Sequence, residues 1–178
     1  MKRLIRKYFK LEQTQKNISL IILCVYFLGI FYGLIQGRNS KILQNKVSKS
    51  LSPSKIFDNN LSVFLNILIL GGFTGGIYSL VVIFINGMIV GQAFAFLHIK
   101  NRLYQIFTAF LPHTFFEISG FSAFCFCSFL PICLLLQFLK NNEKISFKII
   151  FKSLSLLFFG VTMLLLAALI EGGVSRIL

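Results

Sequence analysis

Residues 61–97, LSVFLNILILGGFTGGIYSLVVIFINGMIVGQAFAFL, carry no charged side chain. As one α-helix the stretch would be about 55 Å long at 1.5 Å per residue, well beyond the roughly 30 Å of hydrocarbon in a bilayer. It therefore has to cross twice, with a break inside it. Asn86-Gly87 is the expected break, because Asn-Gly is a strong turn signal. That predicts spans near 61–85 and 86–104.

The same arithmetic extends in both directions. Residues 18–36 (ISLIILCVYFLGIFYGLIQ) have the length of one span, and no A-x-A-like cleavage site follows, so they are not read as a signal peptide. Residues 105–139 again exceed one span. Pro112 suits the first turn of a helix, which predicts a break before it and a helix over 113–139. The polar run KNNEKISFK (140–148) then separates this helix from a last span near 149–171. The fold expected is an all-α membrane protein, a polytopic helical bundle of about five spans with broken helices near Asn86-Gly87 and Pro112.

Two segments lie outside the spans. Residues 1–17 place Arg3, Arg6, Lys7 and Lys10 on one helical stripe and Leu4, Ile5, Tyr8 and Leu11 on the other, the pattern of a basic amphipathic helix in the headgroup layer. Residues 37–60 form a loop with a turn signal at Ser52-Pro53-Ser54. Everything from 18 to 178 reads as a single integral membrane domain.

Composition agrees. The chain is 56% hydrophobic and 13% charged, against about 25% charged residues in soluble domains. Lys and Arg number 18 against five acidic residues, but they sit at helix flanks. Anionic lipid headgroups, not nucleic acid, are therefore the partner implied. Six basic residues precede the first span and five occupy residues 38–55, which favours a cytoplasmic N-terminus in a bacterial cell membrane. Cys24, Cys125, Cys127 and Cys133 form no CxxC pair and read as small buried hydrophobes. There is no Gly-rich phosphate loop, HExxH or GxSxG, so signatures of ATP hydrolysis, zinc proteolysis and serine hydrolysis are missing. No cofactor is implied, and a histidine with one acid is too small a set for a metal.

The polar residues inside apolar runs are the candidate site. An ionisable group at mid-membrane costs roughly 2.5–3.5 kcal/mol on insertion scales, and such groups persist where they have partners. His113 and Glu117 share a helical face, which Gly120 continues. Glu171 ends a stripe through Gly160, Leu164 and Ala167, and either faces His113 and Asn86 or snorkels to the interface. Asn66 and Asn86 can cross-link helices by hydrogen bonds. Gly71, Gly72, Gly75 and Gly76 form one small-xxx-small pattern, and Gly87, Gly91 and Ala95 another, which suits either internal helix packing or a homo-oligomer. The His113/Glu117 pair itself admits three readings: a packed polar knot, a proton or cation path, and a contact site for a protein or peptide.

Three motifs, Asn86-Gly87-Met88-Ile89-Val90-Gly91, Pro112-His113 with Glu117, and Leu169-Ile170-Glu171, occur in an order and spacing that resembles the stage II sporulation protein M family of integral membrane proteins. The resemblance covers roughly residues 61–173. It departs from the usual pattern at Thr114, where the family has Gly, and at Ser119, near where it has Pro. The resemblance implies a non-enzymatic membrane scaffold or accessory subunit whose partners are other membrane proteins or a membrane-active peptide. The settings it implies are cell-envelope remodelling or the maturation, export or immunity of circular bacteriocins. The alternative reading from the residues is a small oligomeric transporter or channel subunit using the intramembrane His/Glu site.

Overall fold

The computed structural model describes residues 2–39, 52–101, 104, 108, 111–141 and 147–174. Six helices account for nearly all of them: α1 (Lys2–Asn39), α2 (Pro53–Phe73), α3 (Ile77–Ile99), α4 (Leu111–Ser128), α5 (Leu130–Asn141) and α6 (Phe147–Val174). No strand occurs among the described residues. Five stretches are long and apolar enough to cross a membrane: Lys16–Gly37, Pro53–Phe73, Ile77–Ile99, Leu111–Leu136 and Phe151–Gly173. The protein is an all-α, multi-pass membrane protein.

The chain does not break at Asn86-Gly87; α3 runs through both residues. The break lies ten residues earlier, at Thr74–Gly76, where Gly75 (φ 62°) and Gly76 (φ 93°) take left-handed backbone that other residues adopt only at a cost. Thr74 fixes the turn. Its hydroxyl donates to the Leu70 carbonyl (2.8 Å) and accepts from the Tyr78 N–H (3.1 Å), tying the end of α2 to the start of α3. Asn86 stays helical because its amide donates to the Val82 carbonyl one turn back (2.9 Å). Gly87 is small for a different reason, given below.

Two other boundaries differ from expectation. Ser52-Pro53 begins a helix, with Pro at its first turn, so α2 starts at Pro53 and carries Lys55 and Asp58 in its opening turns. The helix expected over 113–139 starts at Leu111, with Pro112 in its first turn, and bends at Phe129. Pro131 has no N–H for the Cys127 carbonyl, and the chain tightens locally through Phe129 N–H to Phe126 O (3.2 Å) before Cys133 N–H resumes the ladder to Phe129 O (3.1 Å). Residues 1–17 are not a separate element: from Lys2 onward they are continuous with the first span. The side chains of residues 2–15, on which the amphipathic reading rests, lie outside the described set.

The closest packing in the bundle joins α1 to α3. Gly29, Gly33 and Gly37 on α1 interlock with Gly87, Gly91 and Ala95 on α3. A Cβ on Gly33 would fall on the Met88 carbonyl, one on Gly87 on the Tyr26 carbonyl, and one on Gly91 on the Ile30 carbonyl. Backbone meets backbone, and only residues without side chains permit it. Contacts advance together along both helices, so α1 and α3 run parallel. The α2–α3 hairpin makes this possible by returning the chain to the side of α1's N-terminus.

A second pair forms from α4 and α6, which run antiparallel: Gly120 lies against Gly160 and Leu164, and the Cys127 thiol approaches the Ser153 carbonyl (3.8 Å). Helix α2 joins the two pairs. Its Phe64 ring sits 4.2 Å from that of Phe121 and 4.9 Å from that of Phe124, centre to centre. Around them lie Ile22, Tyr26, Ile67, Ile83, Cys125 and Leu164, all buried. Of the cysteines only Cys125 and Cys127 are buried; Cys24 faces outward and Cys133 is intermediate, so the reading of all four as buried hydrophobes fails for Cys24.

Near the α2–α3 turn, Ser79 and Ser128 are both fully buried, with their hydroxyls 2.6 Å apart. Ser79 also reaches the Ile67 carbonyl (3.0 Å) and Ser128 the Cys125 carbonyl (2.7 Å). Two hydroxyl protons fill two of these three contacts at a time: one serine donates to its partner carbonyl while the other donates either to its own partner carbonyl or to the first hydroxyl. Gly71 makes room for this serine knot, since a Cβ there would collide with Ser79 and lie 2.8 Å from Ser128 Cβ.

Candidate functional site

The acidic residues of α4 and α6 lie towards the same end of the bundle, near enough for their charges to interact. Glu117, two turns into α4, interacts electrostatically with Glu171 in the last turns of α6 and with Tyr26 of α1. Glu117 and Glu171 are half-buried, while Tyr26 is buried at 6% exposure. The antiparallel register that opposes Gly120 to Gly160 and Leu164 carries His113 and Glu117 to the level of α6's final turns. Gly172 packs there against Pro53, at the start of α2. Six residues separate Glu117 from the start of α4, which sets the site about 9 Å along the span from that end.

Thr114 completes the cluster. It lies one turn before Glu117, is 7% exposed, and its Oγ1 has no hydrogen-bond partner. A buried hydroxyl left unpaired costs about 1–3 kcal/mol. His113, beside it, is half-buried and engaged within the chain. Two carboxyls whose charges sense each other in a low-dielectric setting are favoured by a positive or proton-donating counterpart. The cluster therefore offers acceptor groups to a donor or cation. No group of three His, Cys, Asp or Glu side chains able to hold a metal ion occurs among the described residues.

The other residues singled out from the sequence lie elsewhere. Asn86, part-buried, bonds to its own helix, and Asn66 is exposed on the outer face of α2, so neither links helices among the described residues. Gly71, Gly72, Gly75 and Gly76 all pack against the α4–α5 junction, where a Cβ on them would meet Ser128, Pro131, Ile132 and Phe129 in turn, and Gly75 and Gly76 also form the turn. The stripe Gly87–Gly91–Ala95 is covered by α1. Sequence reading overlooked its counterpart, Gly29–Gly33–Gly37, although the four-residue spacing is plain in the sequence. It also overlooked Tyr26, which carries no local signal and joins the site only through packing.

The placement of Glu117 beside Glu171 is testable by charge exchange. Glu171→Lys should put an ammonium beside Glu117 and raise the melting temperature of the detergent-solubilised protein by about 2–4 °C, the shift that about 1 kcal/mol gives in a chain of this size. In a Glu117→Gln background the same lysine loses its counterion and should lower the melting temperature. Equal shifts in the two backgrounds would mean the two carboxyls do not sense each other.

Residues 18–176 match the Stage II sporulation protein M family. The chain belongs to this family. An uncharacterized protein of Methanocaldococcus jannaschii, MJ0793, is 27% identical over 161 residues, covering 85% of this chain and 90% of that protein. No solved structure matches the chain. In this stage II sporulation protein M family member, the matched region takes in four spans whole, the first from its third residue on, and all of Tyr26, His113, Thr114, Glu117 and Glu171. It also takes in Gly29, Gly33 and Gly37, well ahead of the three motifs that first suggested the family.

Proposed function

We propose that this chain is a non-enzymatic subunit of a membrane assembly and that the cluster of Tyr26, Thr114, Glu117 and Glu171 receives a cationic or proton-donating group of a partner. The observation carrying this reading is the pairing of two half-buried carboxyls beside an unpartnered, buried hydroxyl, close to one end of the bundle. Such a set is costly for a lone chain and favourable once a donor enters. The partner is another membrane protein or a membrane-active peptide. Circular bacteriocin maturation, export or immunity, and cell-envelope remodelling, are the settings suggested by family resemblance.

A transporter or channel subunit is the competing reading, supported by the same acid pair. Against it, the core beyond Tyr26 is filled by Phe64, Ile67, Ile83, Phe124 and Leu164, all nearly inaccessible. Among the described residues no polar side chain bridges this layer to the serine knot. A glycine-face scaffold is disfavoured too, because α1 already covers the face of Gly87 and Gly91.

A photoreactive residue in place of Phe116, next to Glu117, tests the reading in native membranes. The expected result is a discrete adduct with a second protein or peptide that the same residue at Phe158, exposed on α6, does not form. Lipid adducts alone at both positions would refute partner binding. Proton or cation flux through vesicles holding only the purified chain would favour the transporter.

A further inference from the structure

Helix α2 is the least apolar of the five spans, with a mean hydropathy of 1.4 against 2.0–2.5 for the others. Its buried residues Ile56, Phe64, Ile67 and Gly71 form one stripe. On another side of the helix, Lys55, Asn59, Ser62, Asn66, Ile69 and Phe73 are all exposed. Their spacing is 4, 3, 4, 3, 4, the repeat by which two helices pack along a left-handed seam. None of the Asn59, Ser62 and Asn66 side chains has a hydrogen-bond partner among the described residues. Asn66 lies thirteen residues from Pro53, about 20 Å along the span and past its middle. A primary amide facing hydrocarbon there loses all its hydrogen bonds, a cost of several kcal/mol.

We propose that a second copy of this chain covers the seam, giving a two-fold dimer through α2. Copies inserted with the same orientation are related by an axis along the membrane normal, so the two α2 helices run parallel and each seam residue faces its own counterpart. An asparagine amide carries both a donor and an acceptor, so Asn66 bonds reciprocally to Asn66 of the other copy, as Asn59 and Ser62 do at their own levels. Lys55 and Asp58, both exposed and without an ion pair among the described residues, lie one turn apart. The two-fold axis brings each lysine near the other copy's aspartate, which relieves the facing of Lys55 against Lys55. A seam complementary to itself in hydrogen bonding and charge fits a second copy better than an unrelated helix. The dimer is independent of the Glu117 site, which lies on other helices.

The test uses the full chain in native membranes with Cys24→Ser removing the one outward-facing native cysteine. Under mild oxidation Ser62→Cys should form a disulfide dimer, whereas Thr162→Cys, exposed on α6, should not. Asn66→Leu should lower the dimer fraction about five-fold, equivalent to about 1 kcal/mol, while Asn66→Gln largely preserves it. Asn66 is exposed, so its membrane level should not change with either substitution. A monomeric Ser62→Cys chain, its capture by a different protein, or an unchanged dimer in Asn66→Leu would each overturn the proposal.

Discussion

Gly33→Leu should leave almost no folded protein, with membrane levels at least ten-fold below the parent chain. A Cβ at this position would fall on the Met88 carbonyl of α3, and backbone cannot rotate aside as a side chain can. Ordinary overpacking of a core costs about 1–3 kcal/mol. Here the whole helix must retreat, losing the contacts that Gly29, Gly37, Gly87 and Gly91 allow along the rest of the seam. That loss is comparable with the 5–15 kcal/mol total stability of a typical domain. Gly33→Ala should already lower the level measurably. Gly173 supplies the control, since nothing lies within 4 Å of a Cβ there, and Gly173→Leu should accumulate normally. Immunoblots of the membrane fraction and thermal unfolding in detergent measure both. Normal accumulation of Gly33→Leu would remove the α1–α3 interface from the account.

How far the sequence foretold this structure depends on which physical signal each feature leaves. Five spans were legible because charge-free runs have to match bilayer thickness, and the arithmetic over residues 61–97 demanded two crossings. Where the chain turned was not legible from that length. Glycine serves both as a turn former and as a contact surface, and Asn86-Gly87 reads locally like Gly75-Gly76. Tertiary context separates them: Gly75 and Gly76 are needed for positive φ, Gly87 for the approach of Tyr26's carbonyl. The start of α2 was placed late because Lys55 and Asp58 lie inside the helix, at the membrane edge, where a charge-free criterion cannot reach.

The site was legible in part. Glu117 and Glu171 stood out because ionisable groups are rare in apolar runs, and the α4–α6 register that Gly120 and Gly160 permit brings them to the same end of the bundle. Thr114 was visible only as a departure from the family pattern. A lone threonine in a helix normally bonds back to its own turn, so nothing in the sequence marks one that does not. Asn66 drew attention as a polar residue in a span, yet its outward direction depends on which face of α2 packs on Phe121 and Phe124.

Glu117→Gln should abolish partner recovery while leaving the bundle intact. Glutamine keeps the size of the side chain and its hydrogen-bonding reach, so packing around Gly120, Leu164 and Tyr26 is preserved. What it removes is the acid, and with it the attraction for a cation or the acceptance of a strong donor. Losing one member of a buried charged pair commonly costs 2–5 kcal/mol at an interface. Even the lower figure corresponds to more than a ten-fold loss of affinity. Gly173→Ala, near the same end but open on all sides, should recover the partner at the level of the parent chain.

The decisive measurement is therefore partner recovery on purified, crosslinked membranes, comparing the parent chain with Glu117→Gln at matched membrane level and melting temperature. The account predicts at least a ten-fold drop in the recovered partner with no loss of folded protein. Undiminished recovery from Glu117→Gln, or a parent chain that purifies with no partner at all, would contradict it.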